Sequence, residues 1–166
     1  MRFKRNPLFW IVALVSLVLD HLTKFWVVKN FALTFPPQTL PLLPGFFHFT
    51  YVVNTGAAFS LFNNGVNWLK WLSLFVSMGL IGLGLFGPRA NRWEQVGYGF
   101  ILGGALGNGI DRFFSGHVVD FLDFRVIQFP VFNLADVFIN VGIFCLLIGT
   151  FPQKNKRNYP PTNSSE

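Results

Sequence analysis

The chain has little of what a soluble catalytic domain uses. Of its 166 residues only 12% are charged, seven are acidic, three are histidine and one is cysteine. The shortage of charge excludes an ordinary water-soluble domain of this size, whose surface needs more. Cys145, alone in an apolar run, forms no intramolecular disulfide and no CxxC motif. No HExxH occurs, and the adjacent Asp20 and His21 fall on different helix faces, so no metal-ligand spacing is visible. The net charge of +6 is not a nucleic-acid footprint, because the basic residues lie in short clusters beside apolar runs and no basic stripe is interleaved with aromatics. What the chain does have is apolar surface: 52% hydrophobic residues, including 22 phenylalanines.

Four stretches are apolar and long enough to span a bilayer, roughly 7–28, 68–87, 96–114 and 133–151. The first lacks a small-residue cleavage site, and Asp20 and Lys24 interrupt its far end, so it reads as a retained helix. Arg2, Lys4 and Arg5 precede the first stretch, Arg89 and Arg92 join the second to the third, and Lys154, Lys156 and Arg157 follow the fourth. The positive-inside rule puts these segments, and both termini, in the cytoplasm. The expectation is a single four-helix membrane domain over 1–153 and a polar cytoplasmic tail over 154–166. Two connections face outward. In the first, 29–67, aromatic and β-branched residues from Phe46 to Val53 read as short strands of a small sheet lying on the membrane. The second, Ser115 to Phe132, carries a strand-like Phe124-Arg125-Val126-Ile127. Six glycines in the third span, Gly97 to Gly109, let helix backbones approach closely.

This topology sets all five aspartates, Asp20, Asp111, Asp120, Asp123 and Asp136, near the outer face. Carboxylates near hydrocarbon are expensive and mark function by default. Asp20 and Lys24 are one turn apart and read first as a structural ion pair. Asn108 and Asp111 share a face near the outer end of the third span; Asn133, Asp136 and Asn140 share one at the start of the fourth. Capping accounts for Asn133 adequately and for Asp136 less well, because Asp136 is already inside the helix and flanked by apolar residues. Asp123 reads as a solvated loop residue. Two carboxylates brought together divide one proton between acid and base, as in aspartic proteases. Helix spacing alone pairs Asp111 with Asp136. No serine or thiol is matched to a histidine for nucleophilic catalysis. A proton-coupled transporter and a non-catalytic scaffold are the rival readings. The first wants polar residues through the inner half, where this chain has few; the second needs no carboxylates on several segments at one depth.

Four blocks resemble the bacterial lipoprotein signal peptidase family, signal peptidase II: Asn54-Thr55-Gly56-Ala57-Ala58-Phe59-Ser60, Gly107-Asn108-Gly109-Ile110-Asp111-Arg112, Val118-Val119-Asp120-Phe121 and Phe132-Asn133-Leu134-Ala135-Asp136, preceded by Asp20-x-x-x-Lys24. Gly109 departs from the larger apolar residue expected there. The resemblance implies an aspartic endopeptidase of the bacterial inner membrane, four transmembrane helices with a small periplasmic β-cradle and an outer loop, and no metal or cofactor. Its substrates are prolipoproteins whose cysteine carries a diacylglyceryl group, cut on the amino side of that cysteine. The resemblance also implies that globomycin-type inhibitors occupy the site. The resemblance makes Asp120, rather than Asp111, the catalytic partner of Asp136. Asp20, Lys24, Asn54, Gly56, Asn108, Asp111, Arg112 and Asn133 then shape the site and contact substrate. Ala57 and Ala58 are expected to line the substrate cleft.

Overall fold

The computed structural model describes residues 6–56, 65–127 and 129–150, with 65–67 described by their backbone alone. Four helices, α1 (Pro7–Asn30), α2 (Gly65–Phe86), α3 (Arg92–Phe114) and α4 (Leu134–Thr150), are joined by three strands, β1 (Thr39–Leu43), β2 (Phe47–Asn54) and β3 (Val118–Phe124). α1 starts with Pro7 in its first turn, where a missing N–H costs nothing. Its buried stripe, Phe9, Ala13, Ser16, Asp20, Lys24 and Val27, recurs every three or four residues, as one helix face must. α3 opens on a reciprocal cap: Asn91 accepts from the Glu94 N–H, and Glu94 accepts from the Asn91 N–H. α1 and Trp68–Phe86 of α2 are each long and apolar enough to cross a membrane; α4 is apolar but shorter. Large apolar side chains such as Leu14, Phe25, Phe75, Phe144 and Leu147 point outward from these helices.

α3 is the centre of the bundle, and its glycines are the reason. A Cβ at Gly99 would lie 2.7 Å from the Phe9 carbonyl oxygen of α1, and one at Gly97 would lie 2.8 Å from the Gly142 carbonyl oxygen of α4. Both backbones therefore approach α3 more closely than any side chain permits. At Gly109 a Cβ would sit 3.1 Å from the Ser73 Cβ, so the departure from a larger residue lets α2 pack close there.

The strands form one antiparallel sheet in the order β1-β2-β3. The sequence expectation of a small sheet in the first connection is therefore incomplete, because its third strand comes from the second. That strand is Val118–Phe124; of the expected 124–127 only Phe124 belongs to it, and 125–127 form a turn after it. Phe121 explains the shift: it packs with Tyr51 against Val27 and Phe31 at the end of α1 and draws 118–124 onto the sheet. The register of β2 against β3 slips by one residue between Phe49 and Val52, just before Val52 meets Asp120. Such bulges re-aim the side chains beside them.

Candidate active site

The site begins with a buried lysine. Lys24 Nζ lies 2.7 Å from Asp20 Oδ2 and 2.7 Å from Asp111 Oδ2, and it donates to Asn108 Oδ1 at 2.9 Å. Lys24 thus does more than pair with its helical neighbour: one cation is shared by two carboxylates and an amide. The other oxygen of Asp20, which is fully buried, accepts the Ala135 backbone N–H at 2.9 Å. A carboxylate of α1 thereby satisfies an orphan donor in the first turn of α4, where the helix dipole favours negative charge. Gly107 makes this possible, since a Cβ there would run into Asp20 Oδ2.

Two amides carry the network outward. Asn108 donates to Asp136 Oδ1 at 2.9 Å, and Asn133 donates to Asn108 Oδ1 at 3.0 Å and to Asp120 Oδ1 at 2.6 Å. Asn133 is also the cap of α4, accepting the Asp136 N–H at 3.1 Å while its own N–H meets Asp136 Oδ2 at 3.2 Å. Asp136 is therefore a reciprocal partner of the cap as well as a side chain facing the site. Asn54, at the end of β2, donates to Asp120 Oδ2 at 2.9 Å and accepts the Gly56 N–H at 3.0 Å.

Asp120 is 1% exposed and held by amides on both oxygens. Burial pushes its carboxyl up to about 6; the Asn54 hydrogen bond opposes this, and the charge of Asp136 adds to it. Asp120 and Asp136 line one cavity of about 730 Å³, with Asn54, Gly56, Arg112 and Asn140. The rest of the wall is largely apolar, with Leu69 from α2, Val137 and Val141 from α4, and Phe124, Phe129 and Phe132 around the end of the sheet. Arg112 donates to the Asn108 carbonyl at 3.2 Å and is the one cationic side chain among the described residues of this wall. Among the described residues no cluster of three His, Cys, Asp or Glu side chains could hold a metal ion.

The residues singled out from the sequence converge on this cluster, with two differences. Asp111 does not pair with Asp136, as helix spacing alone suggests, because Lys24 claims it; the carboxyl beside Asp136 on the cavity wall is Asp120. Asp123 is not a solvated loop residue. It lies on β3, is 6% exposed, accepts from Thr50 Oγ1 at 2.5 Å and pairs with Arg125 Nε at 2.6 Å. Three residues from Asp120, it points to the opposite face of the strand. Ala57 and Ala58 lie outside the described residues. Sequence reasoning gave no weight to the apolar wall or to Asn140, although the face shared by Asn133, Asp136 and Asn140 was a usable signal.

A family model described as signal peptidase (SPase) II matches residues 12–152. The lipoprotein signal peptidase of a Cyanothece species is 67% identical over 166 residues, covering 98% of this chain and 95% of the relative. That of Microcystis aeruginosa is 65% identical and covers 93% and 98%. A solved bacterial membrane enzyme superposes with a TM-score of 0.74 at 26% identity, over 83% of this chain and 84% of its own. With matches of this extent, the chain belongs to the signal peptidase II family of aspartic peptidases.

Proposed function

We propose that Asp120 and Asp136 are the catalytic pair with which this chain removes signal peptides from prolipoproteins. The observation that carries the assignment is that a strand and a helix each bring a carboxyl to the wall of one cavity, linked through Asn133. Asp120, whose carboxyl is raised to about 6, is the acid and Asp136 the base. Asp136 takes a proton from water as its oxygen attacks the scissile carbonyl carbon, and Asp120 gives its proton to the carbonyl oxygen. Collapse of the diol breaks the C–N bond; the leaving nitrogen takes the proton from Asp136, and Asp120 recovers its own. Asp20, Lys24, Asn108 and Asn133 act through geometry, whereas Asn54, Gly56 and Arg112 border the substrate.

The same reading makes 1–153 one domain of four membrane spans, with both termini and the tail 154–166 in the cytoplasm and the sheet on the outer side as a cradle. The substrate carries diacylglyceryl on its cysteine. Lipid chains hold the cleavage site at the interface, the depth at which the two aspartates would lie, and the bond cut is on the amino side of that cysteine. Globomycin then competes for the cavity. Asp120→Asn and Asp136→Asn are each expected to cut turnover of a diacylglyceryl-modified precursor by at least about a hundredfold while leaving a folded, detergent-soluble protein. Near-normal turnover by either variant overturns the pair.

A further inference from the structure

We propose that Asn140 is a substrate-binding residue that holds the backbone of the signal peptide on the membrane side of the scissile bond. The inference rests on the catalytic reading above. Asn140 is one turn beyond Asp136 on α4, about 6 Å along the axis. It is exposed, lines the cavity, and has Val137 and Val141 beside it on an otherwise apolar stretch of helix. Its Nδ2 donates to the Asp136 carbonyl at 2.8 Å. That bond uses one of its two amide hydrogens and leaves the second hydrogen and the carbonyl oxygen available on a residue that lines the cavity. Being exposed on the cavity wall, the amide is accessible to a chain that enters the cavity.

The substrate supplies the partner. A peptide must be unwound where its carbonyl is attacked, and unwinding leaves backbone N–H and C=O groups that lipid cannot satisfy. At about 3.3 Å per extended residue, Asn140 meets the chain roughly two residues from the scissile bond. A free acceptor beside a free donor matches a peptide unit. The glyceryl esters of the lipid offer acceptors alone, so they leave the Asn140 oxygen unpaired.

The test compares Asn140→Ala and Asn140→Ser with the parent enzyme on a diacylglyceryl-modified precursor in detergent. Alanine is expected to raise KM about tenfold with kcat within about twofold, the size of one lost hydrogen bond. Serine can bond back to the Asp136 carbonyl and still present an acceptor, so it should recover most of the loss. A loss confined to kcat would mean that Asn140 acts only through Asp136, and would overturn the proposal. A set of precursors carrying a single ester in place of a peptide N–H, moved along the residues before the cysteine, locates the contact. One position should weaken binding to the parent enzyme and leave Asn140→Ala unaffected. No such position, or coupling seen only when the lipid esters are replaced by ethers, refutes the backbone assignment. Failure of the catalytic pair reads out separately, as activity retained in Asp120→Asn or Asp136→Asn.

Discussion

Replacing Asn54 with alanine is expected to move the alkaline limb of the pH–activity profile upward. Burial pushes the Asp120 carboxyl up to about 6, and the Asn54 amide works against burial because it favours the charged form. A hydrogen bond to a charged group is worth about 1.5–3 kcal/mol and one between neutral groups about 0.5–1.5. The difference, about 1–1.5 kcal/mol, is the part that bears on protonation, and it corresponds to about one pH unit. The kcat/KM of the parent enzyme should fall above about pH 6, as Asp120 loses the proton it must donate. For Asn54→Ala the fall should begin about one pH unit higher, with a lower plateau from lost substrate contacts. The assay is cleavage of a diacylglyceryl-modified precursor at low substrate across the pH range and at constant ionic strength. A limb that stays in place or moves down refutes either the identity of the acid or the role of Asn54. The same group makes stability depend on pH. A carboxyl raised above its unfolded value of 3.8 binds its proton more tightly in the folded chain, so its contribution is complete below 3.8 and lost as pH rises through about 6. That contribution is roughly 3 kcal/mol. The thermal midpoint should therefore drop between about pH 4 and pH 7, and Asp120→Asn should flatten the drop.

Three further outcomes follow from the surrounding network. Lys24→Met leaves Asp20 and Asp111 without their shared cation and should cost about 3–5 kcal/mol in denaturation, while turnover at saturating substrate suffers less than stability. Gly107→Ala drives a methyl into the Asp20 carboxylate and should cost about 1–3 kcal/mol by thermal unfolding. Gly82→Ala, where nothing lies within 4 Å, is the control and should be neutral or mildly stabilising. Asp123→Asn should loosen the sheet by about 1–3 kcal/mol, measured by hydrogen exchange of β2 and β3, without altering turnover at saturation.

The helices were legible because their signals are local. Four apolar stretches long enough to span, and the glycines from Gly97 to Gly109, are each read from neighbouring residues alone. The third strand was not, because its reason is remote: Asn54 and Asp120 meet across 66 positions. Residues 124–127 have the better strand composition, but the packing of Phe121 under the sheet decided the segment. The same limit explains the aspartates. Spacing shows which carboxyls share a helix face, and it cannot show that Lys24 of another helix takes Asp111 out of contention. The four motif blocks supplied what periodicity lacked.

Asp120 is placed by β3, which is ordered against β2 of the first connection, while α4, which bears Asp136, is pinned by Asp20 from 115 positions earlier in the chain. No short contiguous portion of the polypeptide holds Asp120, Asp136 and the residues that bond to them. Synthesis must reach α4, and on the proposed topology both connections must be exported, before the two carboxyls can meet. On the proposed assignment, a chain that has not completed this fold does not bring the two carboxyls together.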